Sequence, residues 1–299
     1  MGQVVSSSRR GLPRVYRGAR TINTLVIIMP ELPEVETIKR QLNLLIAGKK
    51  IKRIEVLLPK IVKVPAAEFK KATSGAKIIE IDRRAKILII HLNNGWSLLM
   101  HLKMSGQLIF DGQKTKFTHV IFHFSDGRRL IFNDLRQFGY VKLVKTDQLD
   151  NFLQKEKIGP EPLDRNFTLA KFVTRLDRRP NAKIKQFLMD PTNLAGIGNI
   201  YSDEILFASR VHPLRKIKDL KPSDIKAIYQ NIRKILTEAI KLKGTSANLY
   251  LDAYGRQGDF LNHLKVYGRE GKKCFKCKNL VKRIQIGGRS AHFCPTCQK

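Results

Sequence analysis

Residues 29 to 37, Met-Pro-Glu-Leu-Pro-Glu-Val-Glu-Thr, place a proline beside carboxylic acids. If removal of Met29 exposed Pro30, the chain would begin with a secondary amine, a group that can form a Schiff base. A free α-amino group has a reference pKa of about 8 against about 10.4 for lysine, so more of it is neutral and nucleophilic at pH 7. Glu31 or Glu34 could then transfer a proton. The same residues are also typical of an acidic helix start, which the helix dipole favours.

All 4 cysteines lie in the last 26 residues, as Cys274-x2-Cys277 and Cys294-x2-Cys297 with sixteen residues between the pairs. This spacing is typical of four thiolates around one tetrahedral Zn²⁺ at about 2.3 Å. Two β-rich runs joined by Gly287-Gly288 fill the gap, which predicts a β-hairpin. Since four thiolates leave no position for a catalytic water, we expect the zinc to be structural.

The composition indicates a polyanionic partner. The 57 lysines and arginines exceed the 25 aspartates and glutamates, which gives a formal charge of +32 over 299 residues. Nucleic acid is the first candidate, because lysine and arginine release condensed counterions when they meet phosphates. A ribosome-associated protein or a generally basic proteome would have the same composition. The longest apolar runs are far shorter than the roughly 20 residues of a membrane span, so we predict no membrane partner.

Sequence pattern divides the chain after Met29 into a β-rich part, a linker and a helical part. Apolar residues at helical spacing follow Pro33, and short β-rich runs then extend to about residue 143. Examples of the predicted strands are Ile78–Asp82, Ile87–Leu92, Ser97–Leu102, Val120–Phe124 and Leu130–Phe132. Beyond the linker at Gly159–Pro162, a helix with its N-cap at Ser223 is predicted to stop at Gly244. The β-rich part predicts a sandwich or barrel.

Several motifs together resemble the bacterial formamidopyrimidine-DNA glycosylase family. They are the proline run at 29–37, Arg83–Lys86, His101–Gly106, Asn133–Gly139, Gly159–Leu163, Gly196–Tyr201, Val266–Arg269 and the cysteine hairpin. The resemblance extends from Met29 to Lys299. It implies a multi-domain α+β fold with four parts: an N-terminal catalytic β-sandwich over 30–150, a linker at 151–164, a helix-two-turn-helix DNA-binding domain with a lesion loop at 165–265, and a C-terminal zinc β-hairpin at 266–299.

The resemblance implies a base-excision-repair enzyme that removes oxidised purines, including 8-oxoguanine and formamidopyrimidines, and cuts the backbone by β,δ-elimination. Pro30 matches the proline that attacks C1′ of the damaged nucleoside, and Glu31 matches the glutamate that assists as proton donor. Glu34 matches a second acidic site residue. Lys86 matches the lysine implicated in β-elimination. Arg289 matches the hairpin arginine that grips phosphate and is linked to δ-elimination.

The resemblance also implies how DNA is held around an everted base. Met104, Arg136 and Phe138 match the residues that fill the vacated space, as an apolar wedge, a guanidinium and an aromatic ring. Asn199 matches a phosphate-gripping asparagine beside helix N-terminal amides. Arg179 and Lys185 are expected to contact the DNA backbone. The loop at 245–258 is expected to close over the everted base.

Two departures from the family pattern affect these expectations. Phe117 replaces the first histidine of a His-x-His pair, which leaves His119 as the expected DNA contact at this position. Residues 1–28, rich in arginine and serine and without an acidic residue, are typical of a transit peptide or of a start codon chosen upstream of Met29. With them attached, the nitrogen of Pro30 is an amide and cannot attack. We favour a start at Met29 over processing or a catalytically inactive chain.

Two other functions stay open at this point. One is a non-catalytic protein that binds damaged DNA, and the other is an endonuclease VIII-like glycosylase that prefers oxidised pyrimidines. The expected partner is double-stranded DNA containing oxidised bases. We further expect a monomer with one structural Zn²⁺ and a cytoplasmic location at the bacterial nucleoid.

Overall fold

The computed structural model describes residues 29–246 and 249–299. The extension predicted for residues 1–28 and two residues of the loop at 245–258 lie outside the described residues. Within the described ranges, no helix combines the length and the apolar character that a bilayer span requires.

The N-terminal part is a sandwich of two antiparallel sheets, as predicted. One sheet has the order β1-β6-β7-β5 and the other β2-β3-β4-β8. The strands are β1 (Ile51–Val56), β2 (Ile78–Arg84), β3 (Ile87–Leu92), β4 (Trp96–His101), β5 (Gly106–Phe110), β6 (Thr118–Phe124), β7 (Arg129–Asp134) and β8 (Tyr140–Lys145). Both sheets contribute to one core, in which Phe122 and Phe132 face Leu88 and Met100.

The central strand β3 is apolar on both faces because both faces are covered. Leu88 and Ile90 belong to the sandwich core. Ile87 and Ile89 pack in a second cluster with Leu149, at the start of helix α3 (Leu149–Lys155). The strand predicted at Ile87–Leu92 is therefore present and is covered on both faces.

Helix α1 (Leu32–Ile46) connects the sandwich to the helical part. Val35, Ile38 and Leu42 are buried in the sandwich core, whereas Leu32 is buried in the helical core. The backbone N–H of Leu32 donates to the carbonyl of Gly196 at 2.9 Å. The N-terminus of α1, with Pro30 and Glu31, therefore lies at the junction of the two cores. Helix α2 (Ala66–Thr73) completes the N-terminal part.

The helical part has its own core around Phe172, Tyr201 and Ile232. Its helices are α4 (Leu169–Asp177), α5 (Ile184–Met189), α6 (Asn199–Ala208) and α7 (Pro222–Lys241). The predicted N-cap at Ser223 is wrong: the N-cap is Lys221 and α7 begins at Pro222, because a proline is suited to the first helical position.

The C-terminal hairpin consists of β9 (Lys282–Ile286) and β10 (Arg289–Phe293), as predicted. Gly287 and Gly288 join them, both with positive φ (54° and 75°). The base of the hairpin packs on Phe207 at the end of α6.

The junction at Gly196 gives a stability test. This glycine has φ +79°, and a Cβ there would lie 2.7 Å from Cβ of Leu32. We expect Gly196→Ala to lower the free energy of unfolding by about 2 to 4 kcal/mol, because left-handed strain adds to overpacking. Gly95→Ala is the matched control, with φ +79° and open space around the added carbon. Measured by urea unfolding, Gly95→Ala should lower the free energy of unfolding by about 1 kcal/mol. Equal losses for the two variants would contradict the packing argument.

Candidate active site and nucleic-acid interface

A cleft of about 750 Å³ opens between the sandwich, the N-terminus of α6 and the hairpin. It brings together five residues that the sequence predicted to act in one site: Glu31, Lys86, Met104, Asn199 and Arg289. These come from five separate segments of the chain. Pro30 is buried between two residues that line the cleft, Met29 and Glu31.

The carboxylate of Glu31 lies against the N-terminus of α6. It accepts the backbone N–H groups of Gly198 at 2.6 Å and Ile200 at 2.9 Å. A side chain at position 198 would displace this carboxylate, because a Cβ there would lie 2.4 Å from Cδ of Glu31. Burial raises the pKa of Glu31 to about 7, although the charge of Lys86 and the backbone N–H groups lower it. Glu31 can therefore both give and take a proton near neutral pH.

Glu34 lies behind Glu31, fully buried, and does not line the cleft. Its carboxylate accepts three hydrogen bonds, from the Tyr201 hydroxyl at 2.5 Å, the Thr245 N–H at 2.7 Å and the Glu31 N–H at 2.8 Å. Burial raises the pKa of this carboxyl as well. Glu34 thus connects α1 with α6 and with the first residue of the predicted lesion loop. A catalytic role for it stays a prediction.

Lys86 lies in the tight turn between β2 and β3, after Ala85 with φ 53°. Glu161 from the linker holds this turn, since its carboxylate accepts the Ala85 N–H at 2.6 Å. It also accepts the guanidinium groups of Arg83 at 2.8 Å and Arg84 at 3.0 Å. Burial lowers the pKa of Lys86, while the charge of Glu31 raises it. A lysine that loses its proton more readily is suited to accept one from a substrate.

His101 also lines the cleft, although the motif His101–Gly106 predicted no role for it. Its Nδ1 accepts the Lys103 N–H at 3.0 Å, and its ring lies 5.6 Å from that of Tyr140. Burial lowers the pKa of His101 to about 3, assisted by the charges of Lys103, Lys86 and Lys142. The imidazole is therefore neutral at physiological pH. The signal that could have identified it is its position three residues before Met104.

The hairpin is fixed to the helical part by a buried charged network. Asp203 of α6 accepts Lys185 Nζ at 2.5 Å and, through its other oxygen, the backbone N–H of His292 at 2.8 Å. Lys185 Nζ also donates to the Ser290 carbonyl at 2.8 Å. The network ends next to Arg289, which the hairpin turn presents to the cleft.

Two residues predicted to contact DNA are enclosed by protein. Lys185 is 1% exposed within the Asp203 network, and His119 is 5% exposed with Nε2 2.7 Å from the Asp134 carbonyl oxygen. In this structure neither side chain is presented to a ligand. We therefore expect any effect of these residues on DNA binding to be indirect. Arg179, by contrast, is exposed just after α4.

The predicted wedge residues lie on two neighbouring loops. Phe138 is 54% exposed, and the guanidinium of Arg136 lies 4.8 Å from the centre of its ring. Neither lines the cleft, whereas Met104 does. Buried Asp134 connects the loops, since it accepts the Ser105 hydroxyl at 2.5 Å and the Arg136 N–H at 3.1 Å. No local sequence signal indicates this connection, because Ser105 and Asp134 are 29 residues apart.

The four cysteine sulfurs form a zinc site. All four lie within 4.8 Å of one another, with Cys274 and Cys297 4.0 Å apart and Cys277 and Cys294 3.3 Å apart. Four ligands at about 2.3 Å from a tetrahedral ion are separated by about 3.8 Å, so the donor set fits zinc. The site lies at the base of the hairpin, away from the residues that line the cleft.

Three family models match consecutive parts of the chain. The formamidopyrimidine-DNA glycosylase N-terminal domain matches residues 29–141. The formamidopyrimidine-DNA glycosylase H2TH domain matches residues 158–250. The zinc finger found in FPG and IleRS matches residues 271–299.

Curated relatives carry the same name along nearly their whole length. The formamidopyrimidine-DNA glycosylase of Pelotomaculum thermopropionicum is 44% identical over 275 residues, covering 91% of this chain and 99% of the relative. That of Lactiplantibacillus plantarum is 42% identical, covering 91% of this chain and 100% of the relative.

Solved structures of Lactococcus lactis Fpg are similar in fold. A complex with abasic-site-containing DNA has a TM-score of 0.85 at 39% identity, covering 90% of this chain and 99% of the other. A complex with DNA containing N7-benzyl-Fapy-dG has a TM-score of 0.84 at 39% identity, covering 90% and 100%.

The Asp203 network can be tested with a double-mutant cycle. We expect Asp203→Asn to lower the free energy of unfolding by about 3 kcal/mol, because it leaves the Lys185 ammonium buried without its counter-charge. In the Lys185→Met background the same change should cost at least about 1 kcal/mol less, as expected for residues in contact. Urea unfolding of zinc-loaded protein measures both, and Lys226→Met controls for loss of an exposed positive charge. Additive effects would mean that the two residues are not coupled.

Proposed function

Because the chain belongs to the formamidopyrimidine-DNA glycosylase family, and is thus a DNA glycosylase of base excision repair, we propose that it removes oxidised purines through Pro30 and then cuts the DNA backbone. The observation that carries this proposal is the placement of Glu31. Its carboxyl, with a pKa raised to about 7, lines the same cleft as Lys86 and Arg289, directly after Pro30.

The proposed chemistry assigns one step to each group. The Pro30 nitrogen displaces the damaged base from C1′, so the glycosidic bond breaks. The nitrogen then loses its proton and the C1′–O4′ bond opens to give the iminium, and Glu31 supplies a proton to the departing base or to O4′ of the deoxyribose. The iminium that remains acidifies the protons on C2′, and Lys86 removes one as the 3′ phosphate leaves. Arg289 stabilises the phosphate leaving groups and promotes the second elimination, since a guanidinium binds phosphate in bidentate fashion.

The proposal requires a free amine at Pro30. While Met29 is attached, the nitrogen is an amide whose lone pair is delocalised, and it cannot form an iminium. The match to the N-terminal family model begins at residue 29. The Pelotomaculum thermopropionicum relative aligns over 99% of its own length but with 91% of this chain. Both observations support a mature protein that begins at Pro30.

DNA is the proposed partner in the cleft. The Lactococcus lactis structures contain DNA with an abasic site or a formamidopyrimidine derivative. In this chain the Oδ1 atom of Asn199 is buried with no hydrogen-bond partner among the described residues, as expected for a group whose partner is a ligand. We assign Met104, Arg136 and Phe138 to the space left by the everted base.

Oxidised pyrimidines are a second candidate substrate class. One Lactococcus lactis Fpg structure, 39% identical, contains DNA with an oxidised pyrimidine. The cleft of about 750 Å³ is large enough to admit either ring system. We further propose that the protein acts as a monomer at the bacterial nucleoid in the cytoplasm.

The nucleophile can be tested with two forms of the protein, one beginning at Pro30 and one retaining Met29. Borohydride should trap only the first on a duplex with 8-oxoguanine opposite cytosine, with the adduct on residue 30 in peptide mass spectra, because only that form has an imine-forming proline. Both forms should bind a duplex carrying a tetrahydrofuran abasic analogue within a few-fold of each other.

Equal trapping of both forms would assign the nucleophile to another amine. Binding of both forms without any cross-link would favour the non-catalytic DNA-binding function.

The role of Glu31 can be tested by its pH dependence. A proton donor with a pKa of about 7 is ionised above that pH, so single-turnover base release should fall about tenfold per unit well above pH 7. Glu31→Gln cannot ionise and should remove this descending limb while lowering the rate about 100-fold or more. An unchanged limb in the variant would assign it to a different group.

A further inference from the structure

A second concave surface lies beside the cleft, between β4, β8 and α3. We call it the β8–α3 groove. It has a volume of about 590 Å³. The charged and aromatic residues that line it are Lys63, Trp96, Lys142, Lys145, Phe152 and Lys155. Its lining thus combines four cationic side chains with two aromatic rings. None of these residues has a role in the proposed reaction.

Two of the lysines lie over aromatic rings. Lys145 Nζ is 4.1 Å from the centre of the Trp96 ring, and Lys142 Nζ is 4.6 Å from that of Phe152. These contacts hold ammonium groups beside flat apolar faces. A ligand that combines negative charge with a planar ring matches both features.

The positive charge of the groove is largely unmatched. Lys142 pairs with Glu156 at 3.6 Å. Within residues 29–246 and 249–299, no carboxylate lies within 4.0 Å of the ammonium groups of Lys63, Lys145 or Lys155. Unpaired lysines around a concave surface favour an anionic ligand.

The groove adjoins the cleft in which the lesion is proposed to bind. Tyr140 and Glu156 both line that cleft. Lys142, which lines the groove, lies 5.1 Å from the centre of the Tyr140 ring and pairs with Glu156. A strand that leaves the cleft on this side is therefore within reach of the groove.

We propose that the β8–α3 groove binds an unpaired segment of the DNA strand that flanks the lesion. Its phosphates draw the ammonium groups of Lys145 and Lys142 away from the rings that they cover here, and its bases stack on the exposed faces of Trp96 and Phe152. Stacking combined with phosphate contacts is how single strands are bound without sequence preference. The position of the groove next to the cleft favours DNA over an acidic peptide. The proposal rests on DNA occupying the cleft, but not on the catalytic steps.

The experiment uses the sole tryptophan of the chain, Trp96, as the reporter. Full-length protein is titrated with a 12-bp duplex carrying a tetrahydrofuran abasic analogue, either blunt or with a ten-thymidine overhang on each end in turn. One overhang should quench Trp96 fluorescence and tighten binding about tenfold relative to the blunt duplex. The same overhang built of base-free sugar phosphates should not quench.

Charge variants identify the groove as the site. The double variant Lys63→Ala/Lys155→Ala should abolish the gain in affinity from the overhang. It should also make the slope of log affinity against log salt concentration less steep by about 1.4, since each single-strand phosphate contact contributes about 0.7 to that slope. Blunt-duplex affinity should be retained. Lys70→Ala/Lys71→Ala is the matched control, which removes two exposed lysines of α2 and should keep the gain.

Each other outcome is decisive. If neither overhang quenches Trp96 while the blunt duplex binds, the proposal is wrong and DNA in the cleft stands. Equal quenching by a hexaglutamate peptide would overturn it in favour of an acidic protein partner. Failure of the blunt duplex to bind would instead reject DNA as the occupant of the cleft.

Discussion

The site depends on the contact between the Glu31 carboxylate and the N-terminus of α6. Helix N-termini have unsatisfied N–H groups and a partial positive charge, so they bind carboxylates well. Here the carboxylate comes from the start of α1 and accepts the N–H groups of Gly198 and Ile200. One interaction thus orients the candidate proton donor and joins the sandwich to the helical part at the residue beside the candidate nucleophile.

Helix α6 connects the other parts of the site through two successive buried acids. Asp203 binds Lys185 and the hairpin strand β10, which begins at Arg289. Glu204 accepts the backbone N–H groups of Lys265, Val266 and Tyr267, which lead into the zinc module. Because these acids are buried, their desolvation must be offset by the groups they bind. These contacts, none of which involves a cysteine ligand, hold the hairpin against α6.

The sequence predicted the elements and the site residues better than it predicted the connections between them. Ile87–Leu92 was predicted at both ends, because its length and flanking turns are local signals. The four cysteines and Glu31, Lys86 and Arg289 were recognisable from spacing and motif. The pairings made by Glu161, Asp134 and Asp203 were not, since each depends on segments that only the folded chain brings together. The enclosure of Lys185 and His119 was missed for the same reason: burial is a property of the fold and not of the motif.

The contact of Glu161 with the turn at Ala85 has a consequence for how such a chain can change over evolution. Interdomain linkers usually tolerate insertions and deletions. Here one side chain of the linker fixes three residues next to Lys86, so a change in linker length near Gly159 would move the lysine. We infer that this segment is constrained in length as strictly as a secondary-structure element. Variation between related proteins should accumulate instead in surface turns such as Asn93–Gly95, where the chain is free to lengthen.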